Sequence, residues 1–135
     1  MRRVRIIFLF VIPLLAFTAC DPDLIIENEI VVTWNGSKKA TVVIKNIGDA
    51  DAGNFMVYFN GDENPVSDNH RPQVRFNIPS LAAGASKELE ADFGPLAHPN
   101  NNNLGNVFKI TVMVDPKGMV KESNENNNTK EAPIH

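Results

Sequence analysis

Short runs in which apolar and polar residues alternate are the feature that most restricts the fold of this chain. Within residues 37–46, for example, the apolar residues Ala40, Val42 and Ile44 alternate with Lys39, Thr41 and Lys45. A period of two places successive side chains on opposite faces of a β-strand, whereas an amphipathic helix requires a period of 3.6. Because the chain contains no long helical period, we expect a fold built from strands.

Turn-forming residues divide the alternating runs into short segments. Asn35-Gly36 is a dipeptide that favours a tight hairpin turn, and Gly48–Gly53 is rich in turn residues. We predict seven strands, in the runs 24–34, 37–46, 55–59, 74–78, 86–93, 107–114 and 127–134. Seven short strands at this spacing in one small domain predict an all-β fold, an antiparallel β-sandwich.

The first 19 residues have the layout of a secretory signal peptide. Arg2, Arg3 and Arg5 precede an apolar run that ends in small residues just before Cys20. A transmembrane helix needs about 20 apolar residues, and this run is shorter. We therefore predict a signal peptide at 1–19.

Cys20 is the only cysteine, so no disulfide bond can form within the chain. The sequence Phe17-Thr18-Ala19-Cys20 resembles the bacterial lipobox, in which the cysteine is acylated and becomes the mature N-terminus. This resemblance implies lipidation at Cys20 and a membrane partner through the N-terminal lipid. The alternative is an ordinary signal peptide followed by an incidental cysteine.

The location within the envelope depends on the residue after Cys20. Asp21 resembles the signal that retains lipoproteins at the inner membrane in enterobacteria-like sorting. Because other bacteria sort by other rules, both the periplasmic face of the inner membrane and the outer membrane stay open.

The charge balance after residue 19 disfavours nucleic acid as a partner. The chain has 13 basic and 16 acidic residues, but three of the basic residues and none of the acidic ones precede Cys20. The remainder is therefore distinctly acidic, and an acidic surface repels a phosphate backbone.

Five segments, in order, resemble the CARDB domain (cell adhesion related domain found in bacteria), which has an immunoglobulin-like fold. The segments are 41–48, 52–55, 78–86, 110–116 and 120–129, the last being Val-Lys-Glu-Ser-Asn-Glu-Asn-Asn-Asn-Thr. The resemblance implies an extracytoplasmic immunoglobulin-like β-sandwich. We accordingly predict a signal peptide at 1–19, a lipidated tether at 20–23 and a CARDB-type domain at 24–132.

Catalytic signatures are missing from the sequence. His70, His98 and His135 lie in or next to predicted loops, and none belongs to a motif for nucleophilic catalysis. With Cys20 acylated and no closely spaced histidine pair, zinc-ligand spacings are also missing. We predict no enzyme and no catalytic residue.

Calcium is the one cofactor for which the sequence offers candidates. Asp115, Glu122, Glu125 and Asn127 crowd the connection between the last two predicted strands, and oxygen ligands suit a hard cation. A smaller group comprises Asp49, Asp51 and Asn54, but neither group matches the EF-hand loop. The alternative is structural, because aspartate and asparagine side chains hydrogen-bond backbone N–H groups in turns.

These features together predict a non-catalytic, lipid-anchored protein of the bacterial cell envelope. Its single domain is expected to mediate protein binding, adhesion or structural support, with an envelope protein or a glycan as the unidentified partner. Segments 61–72 and 94–105 are the candidate contact surface. The alternative function is a calcium-dependent adhesion or glycan-binding module.

Overall fold

The computed structural model describes residues 20–34, 37–63, 72–93 and 107–133. These ranges form eight β-strands: β1 Leu24–Ile26, β2 Val31–Trp34, β3 Lys38–Asn46, β4 Phe55–Glu63, β5 Gln73–Ile78, β6 Ser86–Asp92, β7 Val107–Val114 and β8 Thr129–Pro133. No helix in the described ranges is long and apolar enough to cross a membrane. The predicted signal peptide and the three histidines lie outside the described residues.

Two antiparallel sheets confirm the predicted all-β sandwich. In the first sheet β3 is central, with β6 along one side and both β1 and β2 along the other. The second sheet has the order β5-β4-β7-β8. All paired strands are antiparallel.

The predicted run 24–34 forms two strands instead of one, because the side chain of Asn28 replaces a backbone hydrogen bond to β3. Asn28 Oδ1 accepts a hydrogen bond from the backbone N–H of Val43 at 2.6 Å, and the N–H of Glu27 donates to the Val43 carbonyl at 2.8 Å. The asparagine thus occupies a position at which a strand would pair through its backbone. Residues 27–30 therefore separate β1 from β2.

Alternation along the strands places the core between the two sheets. Every second residue of β3 is buried, as the sequence pattern predicts. In the second sheet Phe59 packs against Phe76 edge to face, with ring centroids 5.6 Å apart. The largest fully buried apolar side chains are Phe55, Phe59, Leu24, Ile44, Ile110, Val42, Val57, Val112 and Val114.

Strand register defines two ends of the sandwich. Leu24 of β1 pairs with Asn46 of β3, and Phe55 of β4 pairs with Ile78 of β5. We call this end, formed by residues 20–23, 47–54, 79–85 and 115–128, the Cys20 end. The opposite, far end holds the last residues of β4 and β6 and the first residues of β5 and β7.

The predicted contact segments 61–72 and 94–105 are therefore flanked by strand ends at the far end. β4 continues through Glu63, so residues 61–63 belong to a strand that pairs with β7 and not to a loop. Most other residues of these two segments lie outside the described ranges.

Candidate functional site at the Cys20 end

A fully buried asparagine, Asn46, ties together three segments of the Cys20 end. Its Oδ1 accepts the backbone N–H groups of Asp23 and Gly48, each at 3.1 Å. Its Nδ2 donates to the carbonyls of Ala50 at 2.8 Å and Leu81 at 3.0 Å. Both donor hydrogens and both acceptor positions of the amide are thus used, as a buried polar group requires.

The three residues that follow Cys20 are each hydrogen-bonded to the rest of the domain through the backbone carbonyl. The carbonyls of Asp21, Pro22 and Asp23 accept the N–H groups of Asp49, Ser123 and Ile47 at 3.3, 2.9 and 2.7 Å. Cys20 itself is exposed. The segment predicted as a tether, 20–23, is therefore continuous with the folded body from residue 21 onward.

Gly48 allows the N-terminal segment to cross the turn after β3 at close range. A Cβ atom at this position would lie 2.4 Å from the carbonyl oxygen of Asp21 and 2.5 Å from the nitrogen of Asp23. Since both contacts are with backbone, neither can move without displacing the segment. Glycine is required at position 48 because two segments of the same chain approach each other closely.

Asp115 holds the turn that follows β7. Its carboxylate accepts the backbone N–H groups of Met119 at 2.9 Å and Val120 at 2.8 Å, and its own N–H donates to Met56 at 2.8 Å. Its φ of 45° lies in the left-handed region, which aspartate tolerates better than most residues. The side chain is almost fully buried, so the carboxylate acts as a fixed cap for this turn.

Glu122 joins the last connection to the first strand. Its Oε2 accepts the N–H of Leu24 at 2.7 Å, and its Oε1 accepts Asn128 Nδ2 at 2.8 Å. The pKa of Glu122 is raised to about 7, chiefly by burial. The two hydrogen bonds lower the pKa, but by less than burial raises it. The nearby carboxylates of Glu125 and Asp115 also raise it. Glu125 Oε1 accepts the N–H of Glu122 at 3.0 Å.

Two amide oxygens beside these carboxylates have no hydrogen-bond partner. Asn127 Nδ2 donates to Asp23 Oδ1 at 2.7 Å, while Asn127 Oδ1 is buried without a donor. Asn128 Oδ1 is likewise buried and unpaired, although its Nδ2 is bound to Glu122. Buried polar atoms of this kind are uncommon.

The structure gives most of the calcium candidates backbone partners. Both oxygens of Asp115, both oxygens of Glu122 and one oxygen of Glu125 accept hydrogen bonds within the chain. Within the described residues, no group of three or more His, Cys, Asp or Glu side chains is arranged to hold a metal ion. Calcium binding by Asp115, Glu122, Glu125 and Asn127 stays a prediction.

One member of the second predicted acidic group has a structural partner. Asp51 Oδ1 accepts the N–H of Ala83 at 2.8 Å, which joins two turns of the Cys20 end. Asp49 and Asn54 are exposed.

Sequence analysis missed Asn46, although it lies in the segment 41–48 that resembles the CARDB domain. The signal that could have identified Asn46 is its position as a single asparagine at the end of an alternating strand.

A family model identifies the fold of the whole described domain. The CARDB model matches residues 21–132. The chain belongs to the CARDB family. The match covers both sheets except for Pro133, the last residue of β8, and begins at the residue directly after Cys20.

Solved structures agree with this assignment. The crystal structure of the CARDB domain of the PF1109 protein from Pyrococcus furiosus, in complex with di-metal ions, is 22% identical, with a TM-score of 0.58 and coverage of 87% of this chain and 94% of that one. A solution NMR structure of the same domain is also 22% identical, with a TM-score of 0.54 and coverage of 84% and 94%.

A glucosidase contains a similar fold in a small part of its length. The β-glucosidase 3B from Thermotoga neapolitana, in complex with α-D-glucose, is 14% identical, with a TM-score of 0.50. The similarity covers 84% of this chain and 16% of that one. At these identities the likeness to solved structures shows the immunoglobulin-like fold alone. No curated protein is significantly similar to the chain in sequence.

Replacing Asn46 by alanine should destabilise the protein strongly. The substitution removes four hydrogen bonds and leaves the buried carbonyl of Leu81 without its Asn46 partner. We expect the free energy of unfolding to fall by about 3 to 4 kcal/mol, at roughly 1 kcal/mol for each bond. Urea unfolding followed by circular dichroism measures this change. The control Asn54→Ala, at an exposed position, should differ little from wild type, and equal losses in both variants would contradict the role of Asn46.

Glu122 should make stability depend on pH in a defined direction. Because its folded pKa of about 7 exceeds the ordinary value of 4.5, the native state binds more protons between these pH values. The free energy of unfolding should therefore fall by about 1 to 3 kcal/mol as pH rises from 4.5 through 7, and the change from this group should level off about one pH unit above 7.

Urea unfolding at several pH values, with Glu122→Gln beside wild type, isolates this contribution. The variant should lose the decrease, since glutamine does not titrate. Glu88→Gln, at an exposed position on β6, should keep it. A decrease of equal size in Glu122→Gln and wild type would refute the assignment.

Proposed function

We propose that this CARDB-family chain is a lipid-anchored protein of the bacterial cell envelope, in which one immunoglobulin-like domain mediates protein binding, adhesion or structural support. Membership of an adhesion-related family fits a non-catalytic binding role. The observation that carries the proposal is the position of the family match, which begins at Asp21, immediately after the lipobox cysteine. The domain and the predicted lipid attachment site are thus adjacent in sequence.

Residues 1–20 support the anchor on chemical grounds. A basic head and a short apolar run direct export, and Thr18-Ala19-Cys20 agree with the lipobox at three positions. Acylation adds a diacylglyceryl group and an N-acyl chain to Cys20. Since a single acyl chain binds a bilayer only marginally, several chains on one residue make attachment stable.

The buried carboxylates of the Cys20 end have hydrogen-bond partners within the fold. The carboxylate oxygens of Asp115 and Glu122 accept hydrogen bonds from other residues of the Cys20 end and from Leu24. These hydrogen bonds stabilise the fold. The far end, to which the predicted contact segments 61–72 and 94–105 belong, is our candidate for contact with an envelope protein or a glycan. The acidic balance of the chain after residue 19 argues against nucleic acid.

Replacing Cys20 by serine should abolish lipid attachment to the protein. The hydroxyl cannot form the thioether to diacylglyceryl, so lipid attachment and signal-peptide maturation should both stop. Metabolic labelling with an alkyne fatty acid measures lipid attachment, and the size of the protein on a gel measures maturation. The control Asp49→Ser changes an exposed residue of the same end and should label as wild type does. Unchanged labelling of Cys20→Ser would contradict the anchor.

A calcium-dependent adhesion or glycan-binding module is the second candidate. One observation favours it: the buried oxygens of Asn127 and Asn128 lack hydrogen-bond donors, and both amides contact carboxylates, those of Asp23 and Glu122. Amide and carboxylate oxygens are ligands that calcium prefers. The similar CARDB domain of the PF1109 protein was crystallised with di-metal ions.

Calcium binding should raise the melting temperature of the lipidated protein. With calcium at a hundred times its Kd, linkage stabilises the folded state by about 2.7 kcal/mol, which corresponds to several degrees. Thermal melts in millimolar calcium and in chelator make the comparison. Asn127→Ala should reduce the shift, whereas the exposed Asn54→Ala should leave it intact. Identical melting temperatures in calcium and chelator would remove this candidate.

A further inference from the structure

We infer that the Cys20 end lies directly against the lipid bilayer, with Ile47 and Met119 in the lipid interface and the far end directed away from the membrane. This inference rests on the lipid anchor proposed above. It adds an orientation and a contact surface, neither of which follows from lipidation alone.

The first argument is the length of the tether. Asp21, the residue next to Cys20, is already bound through its carbonyl to the N–H of Asp49. Consecutive Cα atoms are about 3.8 Å apart. A lipid on Cys20 therefore holds the body within roughly one residue of the headgroups, and no flexible linker separates them.

The second argument is the strength with which the N-terminal segment is held. The N–H of Asp23 donates to Asn46, the N–H of Leu24 donates to Glu122, and the carbonyl of Pro22 accepts from Ser123. The segment also crosses Gly48 with no space for a side chain. Peeling it away would break these hydrogen bonds and leave the side chains of Asn46 and Glu122 without them. The anchor thus fixes which end of the domain faces the bilayer.

The third argument is the placement of exposed apolar side chains. Among the described residues, the large hydrophobic side chains that are exposed are Val31, Ile47 and Met119. Ile47 directly follows β3 and binds Asp23 through its N–H at 2.7 Å, and Met119 lies in the turn held by Asp115. Two of the three therefore lie at the Cys20 end, where entry into the lipid interface would remove them from water.

Charge selects the kind of lipid surface. The charged side chains of the Cys20 end are Asp21, Asp23, Asp49, Asp51, Asp115, Lys117, Lys121, Glu122 and Glu125. Carboxylates outnumber ammonium groups, and Lys121 is paired with Asp21 at 3.4 Å. Anionic lipids attract basic segments and repel acidic ones. The contact therefore suits zwitterionic headgroups, and anionic lipid should weaken it.

Fluorescence quenching in vesicles tests this orientation on the full lipidated protein. With Cys20 acylated, a cysteine introduced by Ile47→Cys is the one free thiol and accepts an environment-sensitive nitrobenzoxadiazole label. The matched variant Gln73→Cys places the same label at an exposed position of the far end. Vesicles of phosphatidylcholine and phosphatidylethanolamine carry a doxyl-labelled phosphatidylcholine as the quencher.

We expect the label at position 47 to lose most of its fluorescence and the label at position 73 to lose little. Replacing part of the zwitterionic lipid by phosphatidylglycerol should reduce quenching at 47. A variant with an aspartate and about a dozen Gly/Ser residues inserted after Cys20 should stay in the membrane but lose that quenching, because such a linker reaches roughly 20 Å.

The possible failures are distinguishable. Equal quenching at 47 and 73, or none at 47 in protein that sediments with the vesicles, overturns the orientation and leaves the anchor intact. Quenching that survives the linker insertion also overturns it, because the short tether would then play no part. If Cys20→Ser still incorporates the fatty-acid label, both the anchor and the orientation fall.

Discussion

The amide of Asn46 is the interaction on which the closed end of this sandwich depends. A sheet leaves backbone groups unpaired where its strands end, and three segments of the chain meet at that point. One buried side chain supplies two acceptor positions and two donor hydrogens to them, so the turn after β3, the segment at Leu81 and the N-terminal segment become one unit. Without this amide, each of the four backbone groups would need another partner.

Buried carboxylates complete this closure from the other side. Asp115 caps the turn after β7, and Glu122 reaches the first strand from a position 98 residues later in the chain. The raised pKa of Glu122 is a consequence of that burial. In a lipid-anchored protein, these bonds would also join the anchor to the body, since any force on Cys20 acts first on residues 21–24.

Local alternation was sufficient to predict the sandwich and most strand positions, because the period of two reports which residues face the core. It was not sufficient where a side chain or a neighbouring strand overrides the pattern. Asn28 takes the place of a strand residue opposite Val43, and so divides one predicted strand into two. Polar residues at 61–63, predicted as a loop, form a strand because β7 provides backbone partners for them, with a register shift between Asp62 and Glu63.

The amino-acid sequence by itself determined the β-rich class, the core-facing positions and the family, and it marked Asp115, Glu122, Glu125 and Asn127 as a concentration of oxygen atoms. It also placed the only cysteine at the start of the matched domain. Tertiary structure decided what those oxygens contact, because a carboxylate serves as a cap or as an open ligand according to the N–H groups that face it. It likewise decided that residues 21–24 belong to the folded body, since their hydrogen-bond partners come from distant parts of the chain.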